Sequence, residues 1–134
     1  YSTLEHRHVP EVLMNSDLSE EEFTFVAQLI PIDRGILETI YFRGTPEATV
    51  DKIIGAYDHA YSNSPFVRVY DPGVMPDLQA VQRTNFCDIG VKYDEATRRG
   101  VVVSVIDNLG KGAAGQAVQN MNLLLGFAEQ EALL

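Results

Sequence analysis

Residues 85–93 read NFCDIGVKY and residues 100–107 read GVVVSVID, with the polar stretch Asp94–Arg99 between them. β-Branched and aromatic residues dominate both runs, and a short polar link between two such runs predicts a hairpin. The second run is apolar at successive positions, hence on both faces, which places it in the middle of a sheet. Working outward, Phe66–Tyr70 (FVRVY), Gly35–Arg43 (GILETIYFR) and Phe23–Ile30 read as further strands, the last ended by Pro31. Thr45-Pro46-Glu47 opens a helix, with Thr as N-cap, Pro in the first turn and Glu favoured by the helix dipole. Val50, Ile53, Ile54, Tyr57 and Tyr61 share one face of it, and Asn63-Ser64-Pro65 breaks it. Pro10 opens a short helix through about Asn15. Asp71–Pro76 reads as a loop, Gly110-Lys111-Gly112 as a turn and Ala113–Leu125 as a helix. Strands, helix, strands, helix around a mainly antiparallel sheet is an α+β fold.

The 134 residues imply one domain with enough chain for a real core. Ten Lys+Arg against 19 Asp+Glu give a net charge of −9. That balance argues against general binding to nucleic acid or to an anionic membrane, which needs a basic footprint. No apolar run is long enough to span a bilayer, and no signal-peptide pattern opens the chain. The lone Cys87 excludes an internal disulfide and fits a reducing, cytoplasmic compartment. The chain begins at Tyr1 rather than Met, so it is expected to be a piece of a longer protein.

The last helix has no charged residue between Lys111 and Glu129, while Gln116, Gln119, Asn120 and Asn122 interrupt its apolar pattern. A surface helix shows a charged face. This one is expected to be covered on several sides, by another domain or another subunit.

Four groups of residues could carry chemistry. In HRHVPE, His6 and His8 stand two apart with Glu11 three residues on, which suits acid–base work. Solvated loop histidines are the plain alternative; a metal is disfavoured, because the set falls short of a tetrahedral site. Cys87 lies in a strand beside Asp88, and an acidic neighbour disfavours a thiolate, so it reads as a small core residue. Lys111, Gly112, Ala113, Gly115 and Gln116 start a helix with small residues, suited either to an anion or cofactor or to close helix packing. Neither a Walker phosphate loop nor a G-x-G-x-x-G fingerprint is present. Arg34 and Arg68, in or beside strands, could clamp a carboxylate or phosphate, or simply pair on the strand face.

Five segments together resemble N-acetyl-gamma-glutamyl-phosphate reductase, the NADP-dependent enzyme of arginine biosynthesis. They are HRHVPE (His6–Glu11), LIPIDRGILETIY (Leu29–Tyr41), PFVRV (Pro65–Val69), TNFCDIGV (Thr84–Val91) and VSVIDNLGKGAAGQAVQNMNLLLG (Val103–Gly126). They follow the family's order and span nearly the whole chain, and the last is the most specific. The resemblance implies a catalytic and dimerisation domain like the C-terminal domain of glyceraldehyde-3-phosphate dehydrogenase, a mixed, mainly antiparallel sheet with helices on one face.

It further implies a reaction in which a cysteine thiolate attacks N-acetyl-glutamyl phosphate and a hydride from NADPH reduces the thioester. The family's nucleophile follows an Asn-Pro-Gly segment, which this chain lacks; its glycine-rich nucleotide loop is absent too. By resemblance His6 is the base, His8 the competing assignment, and Glu11 an orienting or substrate-contacting group. Lys111 to Gln116 would meet the cofactor, the helix over about 112–126 would pack on an N-terminal dinucleotide-binding domain, and Arg7, Arg34 and Arg68 are the substrate-anion candidates. A homodimer or homotetramer is implied. Ala27-Gln28 departs from a Pro-His pair common in bacterial relatives, and Gly110 replaces the usual residue before Lys111. An aspartate-semialdehyde dehydrogenase-like acyl-phosphate reductase domain is the related alternative, and a non-catalytic dimerisation module the other.

Overall fold

The GVVVSVID run occupies the centre of the sheet. The computed structural model describes residues 4–134, and they form two compact units, the first ending at Ile32 and the second covering Asp33–Leu134. The first unit holds one short helix, α1 (Val9–Met14). The second holds β1 (Ile36–Arg43), α2 (Val50–Tyr61), β2 (Val67–Val69), a 3-10 turn (Leu78–Val81), β3 (Cys87–Asp94) and β4 (Arg99–Ile106). A π-helical turn (Gly110–Ala114) then runs directly into α3 (Gly115–Leu125).

The strand order is β1-β4-β3-β2. β4 is antiparallel to both its neighbours, and β2 joins β3 in parallel, so the sheet is mixed and mainly antiparallel. Val102 pairs with Ile40 on one side and Val91 on the other. The link between β3 and β4 is tight because Asp94 works as a turn residue: its carboxylate accepts from Ala96 N–H and Thr97 Oγ1, and Arg98 takes the left-handed conformation (φ 56°).

Alternation decides what each sheet face meets. Ile89, Val91 and Val102 form the buried cluster, and Ile53, Ile54 and Tyr57 of α2 pack on it with Phe42, Val67 and Cys87. On β1 the other alternation puts Leu37, Thr39 and Tyr41 in register with Val105, Val103 and Val101. There Leu37 is exposed and Tyr41 is 78% exposed.

Several expectations need correction. No strand forms over Phe23–Ile30: the aromatic rings turn to local packing, Phe23 stacking with Phe25 at 6.2 Å, and Ile30 O closes a tight turn on Ile32 N–H at 2.8 Å. The N-cap of α2 is Thr49, whose side chain accepts from Lys52 N–H at 3.3 Å, and not Thr45. Thr45 instead closes a separate turn, accepting from Ala48 N–H, because the apolar helical period begins only at Val50. The 3-10 turn at Leu78–Val81 was not anticipated; Asp77 caps it through Gln79 N–H at 2.8 Å. The last helix begins with a widened π turn rather than the expected simple turn, and it ends at Gly126 (φ 73°), whose N–H bonds to Asn122 O and Leu123 O.

Candidate active site

In the first unit, HRHVPE folds back on itself at the start of α1. His6 O accepts from Val9 N–H at 2.9 Å and His8 O from Val12 N–H at 3.0 Å, with Pro10 in the first turn. His6 is buried, 7% exposed, and its ring lies edge-on to His8 (centroids 4.8 Å) and tilted against Phe25 (5.1 Å). Its Nδ1 accepts a long hydrogen bond of 3.3 Å from His8 N–H. Burial first, then the neighbouring His8 and Arg7 charges, hold the His6 pKa below the ordinary 6.5. That shift favours the neutral ring, the form a general base needs. Arg7, His8 and Glu11 are exposed beside it. Among the described residues no three His, Cys, Asp or Glu gather to hold a metal ion.

In the second unit the chemistry gathers where β4 meets the last helix. Asp107 is fully buried and caps that junction. Its Oδ1 accepts from Leu109 N–H (2.8 Å), Gly110 N–H (2.9 Å) and Arg34 Nη2 (3.1 Å). Oδ2 accepts from Arg83 N–H and lies 3.1 Å from Arg34 Nε, and the Asp107 carbonyl accepts from Gly112 N–H at 2.8 Å. Burial pushes the Asp107 carboxyl up, but the Arg83, Gly110 and Leu109 N–H groups and the Arg34 charge outweigh it and hold it at about 2. A cleft of about 590 Å³ opens here, lined by Arg34, Arg83, Thr84, Asn85, Gly110 and Gly115 together with residues 132–134.

The glycines of the helix start serve packing. A Cβ on Gly110 would come 2.6 Å from Thr84 O, and one on Gly115 would overlap Asn85 Oδ1. Gly112, Ala113 and Ala114 are exposed, a shelf with no side chain larger than a methyl. Lys111 is turned inward: Nζ donates to Gln119 Oε1 at 2.7 Å and sits 5.6 Å from the Phe66 ring centroid, and burial lowers its pKa. The shelf therefore leaves its backbone open to approach, while the lysine charge is directed inside the chain.

Two of the four helix amides are explained internally. Gln119 and Asn122 are buried; Gln119 accepts from Asn85 Nδ2 (2.9 Å) and donates to Glu129 Oε1 (2.6 Å), and Asn122 Nδ2 donates to Glu129 O and Glu131 O. Gln116 and Asn120 bond each other at 2.8 Å on the exposed side, and Leu123, Leu124, Leu125 and Phe127 are exposed, Leu124 at 85%. Leu123, Leu124 and Leu125 stand about 100° apart around α3, so the exposed apolar surface at its C-terminal end faces several sides.

Arg68 is committed within the chain. Nε and Nη2 meet the two oxygens of buried Asp88 at 2.6 and 2.7 Å, Tyr70 OH donates to the same carboxylate at 2.8 Å, and the guanidinium lies 4.2 Å from the Phe86 centroid. Cys87 lies half-buried in β3 with Sγ 3.5 Å from Ser104 Oγ.

Asp107, Asn85 and Arg83 went unnamed in the sequence. Asp107 was the most legible of them: Asp followed by Gly three residues on, at the end of a strand, is an Asx-type cap.

The semialdehyde dehydrogenase dimerisation-domain model matches residues 1–108. The chain belongs to that family. Its dimerisation-domain fold is shared by an aspartate semialdehyde dehydrogenase II of Vibrio cholerae, solved complexed with ASA, at a TM-score of 0.55 and 19% identity over 72% of this chain and 28% of that one. Among curated relatives, the N-acetyl-gamma-glutamyl-phosphate reductase of Geobacillus sp. (strain WCH70) is 44% identical over the whole chain and 40% of its own length. That of Desulfotalea psychrophila is 48% identical over 96% of the chain and 38% of its length. The chain spans about two-fifths of the length of these relatives. Among the described residues no helix of this dimerisation domain is long and apolar enough to cross a membrane.

Proposed function

We propose that this dimerisation domain is the acid–base and subunit-contact part of an NADP-dependent reductase that converts N-acetyl-glutamyl phosphate to N-acetyl-glutamate semialdehyde. The observation that carries the reading is the identity of 44–48% to reductases of that name along this chain, with HRHVPE folded to bury His6 and favour its neutral form.

The covalent step needs a thiolate from the part of the protein outside this chain. Its attack on the acyl phosphate releases phosphate and leaves a thioester. NADPH, when bound, supplies the hydride that reduces it. His6 takes the thiol proton as a neutral base and returns it as the aldehyde leaves, with His8 as the competing assignment. Arg34 and Arg68 both pair with buried aspartates, and Arg7, exposed next to His6, is our candidate for the substrate's anionic groups. Glu11 stands one helical turn away on the same segment to contact substrate or orient a ring.

In the second unit the Gly112–Ala114 shelf meets the nicotinamide end of the cofactor, with Gly115 and Gln116 continuing the same helix. The apolar surface at Leu123–Phe127 packs on the absent dinucleotide-binding domain. The exposed sheet face at Leu37 and Tyr41 is covered by a second copy of the chain, as the family's dimerisation role suggests.

The test is a comparison of two proteins. Full-length protein is expected to oxidise NADPH in the presence of N-acetyl-glutamyl phosphate, and the 134-residue chain alone is expected not to. Turnover by the chain alone would overturn the assignment of nucleophile and nucleotide loop to the remainder of the protein. Failure of the full-length protein to use this acyl phosphate would overturn the substrate.

A further inference from the structure

We propose that Asp107 is a positioning residue for the cofactor, setting the place of the Gly112–Ala114 shelf through its ties to the Arg34 and Arg83 segments. The inference rests on the reading that this shelf meets the nicotinamide end.

Three separate stretches of the second unit converge on this one side chain. One is the approach to β1, through Arg34 and, alongside it, Gly35 N–H, which donates to Asn108 Oδ1 at 2.8 Å. Another is the loop before β3, through the N–H of Arg83, a non-glycine residue in the left-handed region at φ 62°. The last is the π turn itself, through Leu109 and Gly110 N–H on the carboxylate and Gly112 N–H on the carbonyl. A helix cap needs only the turn's own donors. Here half of the carboxylate faces donors outside the turn, so the carboxylate also fixes where the turn sits relative to the sheet. A π turn is rare and occurs chiefly as a single-turn bulge, frequently at functional sites.

Asp107→Asn separates the two jobs. Oδ1 remains to accept from Leu109 and Gly110, so the cap survives. An amide NH₂ in place of Oδ2 sets a donor against the donors of Arg83 and Arg34 Nε, so the Arg83 tie is lost and the Arg34 tie is reduced to the Nη2 bond on Oδ1, without its ion pair. Arg34→Gln removes the charged part of that tie and leaves every backbone bond to Asp107 in place.

The experiment measures NADPH affinity of the full-length protein by fluorescence titration without acyl phosphate, and the two KM values separately. Asp107→Asn is expected to weaken NADPH binding about tenfold, the order of one charge-assisted hydrogen bond, with the KM for acyl phosphate changed by less than about twofold. Arg34→Gln is expected to shift NADPH affinity in the same direction by roughly threefold, and it carries the test if Asp107→Asn does not fold. Unchanged NADPH affinity in the variants, or an equal rise in both KM values, overturns the proposal. Gly115→Ala, which drives the helix against Asn85, distinguishes the levels of failure. If it leaves NADPH affinity intact, the shelf reading itself falls; if it weakens affinity while the Asp107 and Arg34 variants do not, only the role of Asp107 falls.

Discussion

The Arg68–Asp88 pair should be energetically lopsided, and the lopsidedness can be worked from exposure. The Asp88 side chain is fully buried, whereas that of Arg68 is 40% exposed. Arg68→Met strips a buried carboxylate of its charge partner and leaves it only the Tyr70 hydroxyl as a side-chain donor. An uncompensated buried charge costs about 3–5 kcal/mol. Asp88→Asn keeps one acceptor in place and leaves a guanidinium that can turn to water while resting on Phe86, so its cost is about 1–2 kcal/mol. The double variant has no buried charge and one imperfectly paired amide, at about 2 kcal/mol. The second substitution should therefore restore stability to the first. Urea unfolding of the chain, followed by far-UV circular dichroism, reads this directly: at a slope of about 2 kcal/mol per M, Arg68→Met lowers the midpoint by roughly 2 M and the double variant by about half that. If Asp88→Asn costs as much as Arg68→Met, or the double variant is no more stable than Arg68→Met, the reasoning fails. A rise in KM for acyl phosphate with no loss of stability would instead make Arg68 a substrate ligand.

Other consequences follow from the same geometry. The acid limb of kcat/KM in the full-length protein should fall below the ordinary histidine value of 6.5, because His6 loses its proton more readily here, and Arg7→Gln should move it upward by removing a like charge; a limb at or above 6.5 contradicts this. The sign for stability is the same: the unfolded chain takes up the proton first, so stability is lost as pH drops from about 6.5 toward the lower folded value. Cys87→Ala should leave kcat within about twofold of wild type, and a loss of a hundredfold or more would restore Cys87 as the nucleophile. Val91→Ala empties a fully buried site between Val102 and α2 and should cost about 2 kcal/mol in urea unfolding; a cost below about 0.5 kcal/mol would show that this cluster is not the core.

What the sequence revealed depended on how local each feature is. The hairpin and the central place of residues 100–107 were legible because alternation and apolar runs report burial residue by residue. The helix after Gly44 was legible in kind, but its start was placed four residues early, since Thr45 and Thr49 carry the same capping chemistry and only the onset of the apolar period separates them. Phe23–Ile30 shows the opposite failure: an apolar, β-prone run makes a strand only where another strand offers its backbone, which composition does not report. His6 and the small-residue helix start were legible as chemistry. The junction around Asp107 was not, because its partners Arg34 and Arg83 lie 73 and 24 residues away in sequence. The amides on the last helix suggested a missing cover, and half of that signal was internal, in Gln119 and Asn122.

The measurement that bears most directly on the role of this domain is the turnover of full-length protein carrying His6→Asn, with NADPH affinity measured beside it. An acid–base role for His6 predicts a fall in kcat of about 10²–10⁴-fold with NADPH binding unchanged. Wild-type turnover in His6→Asn at near-neutral pH would contradict it.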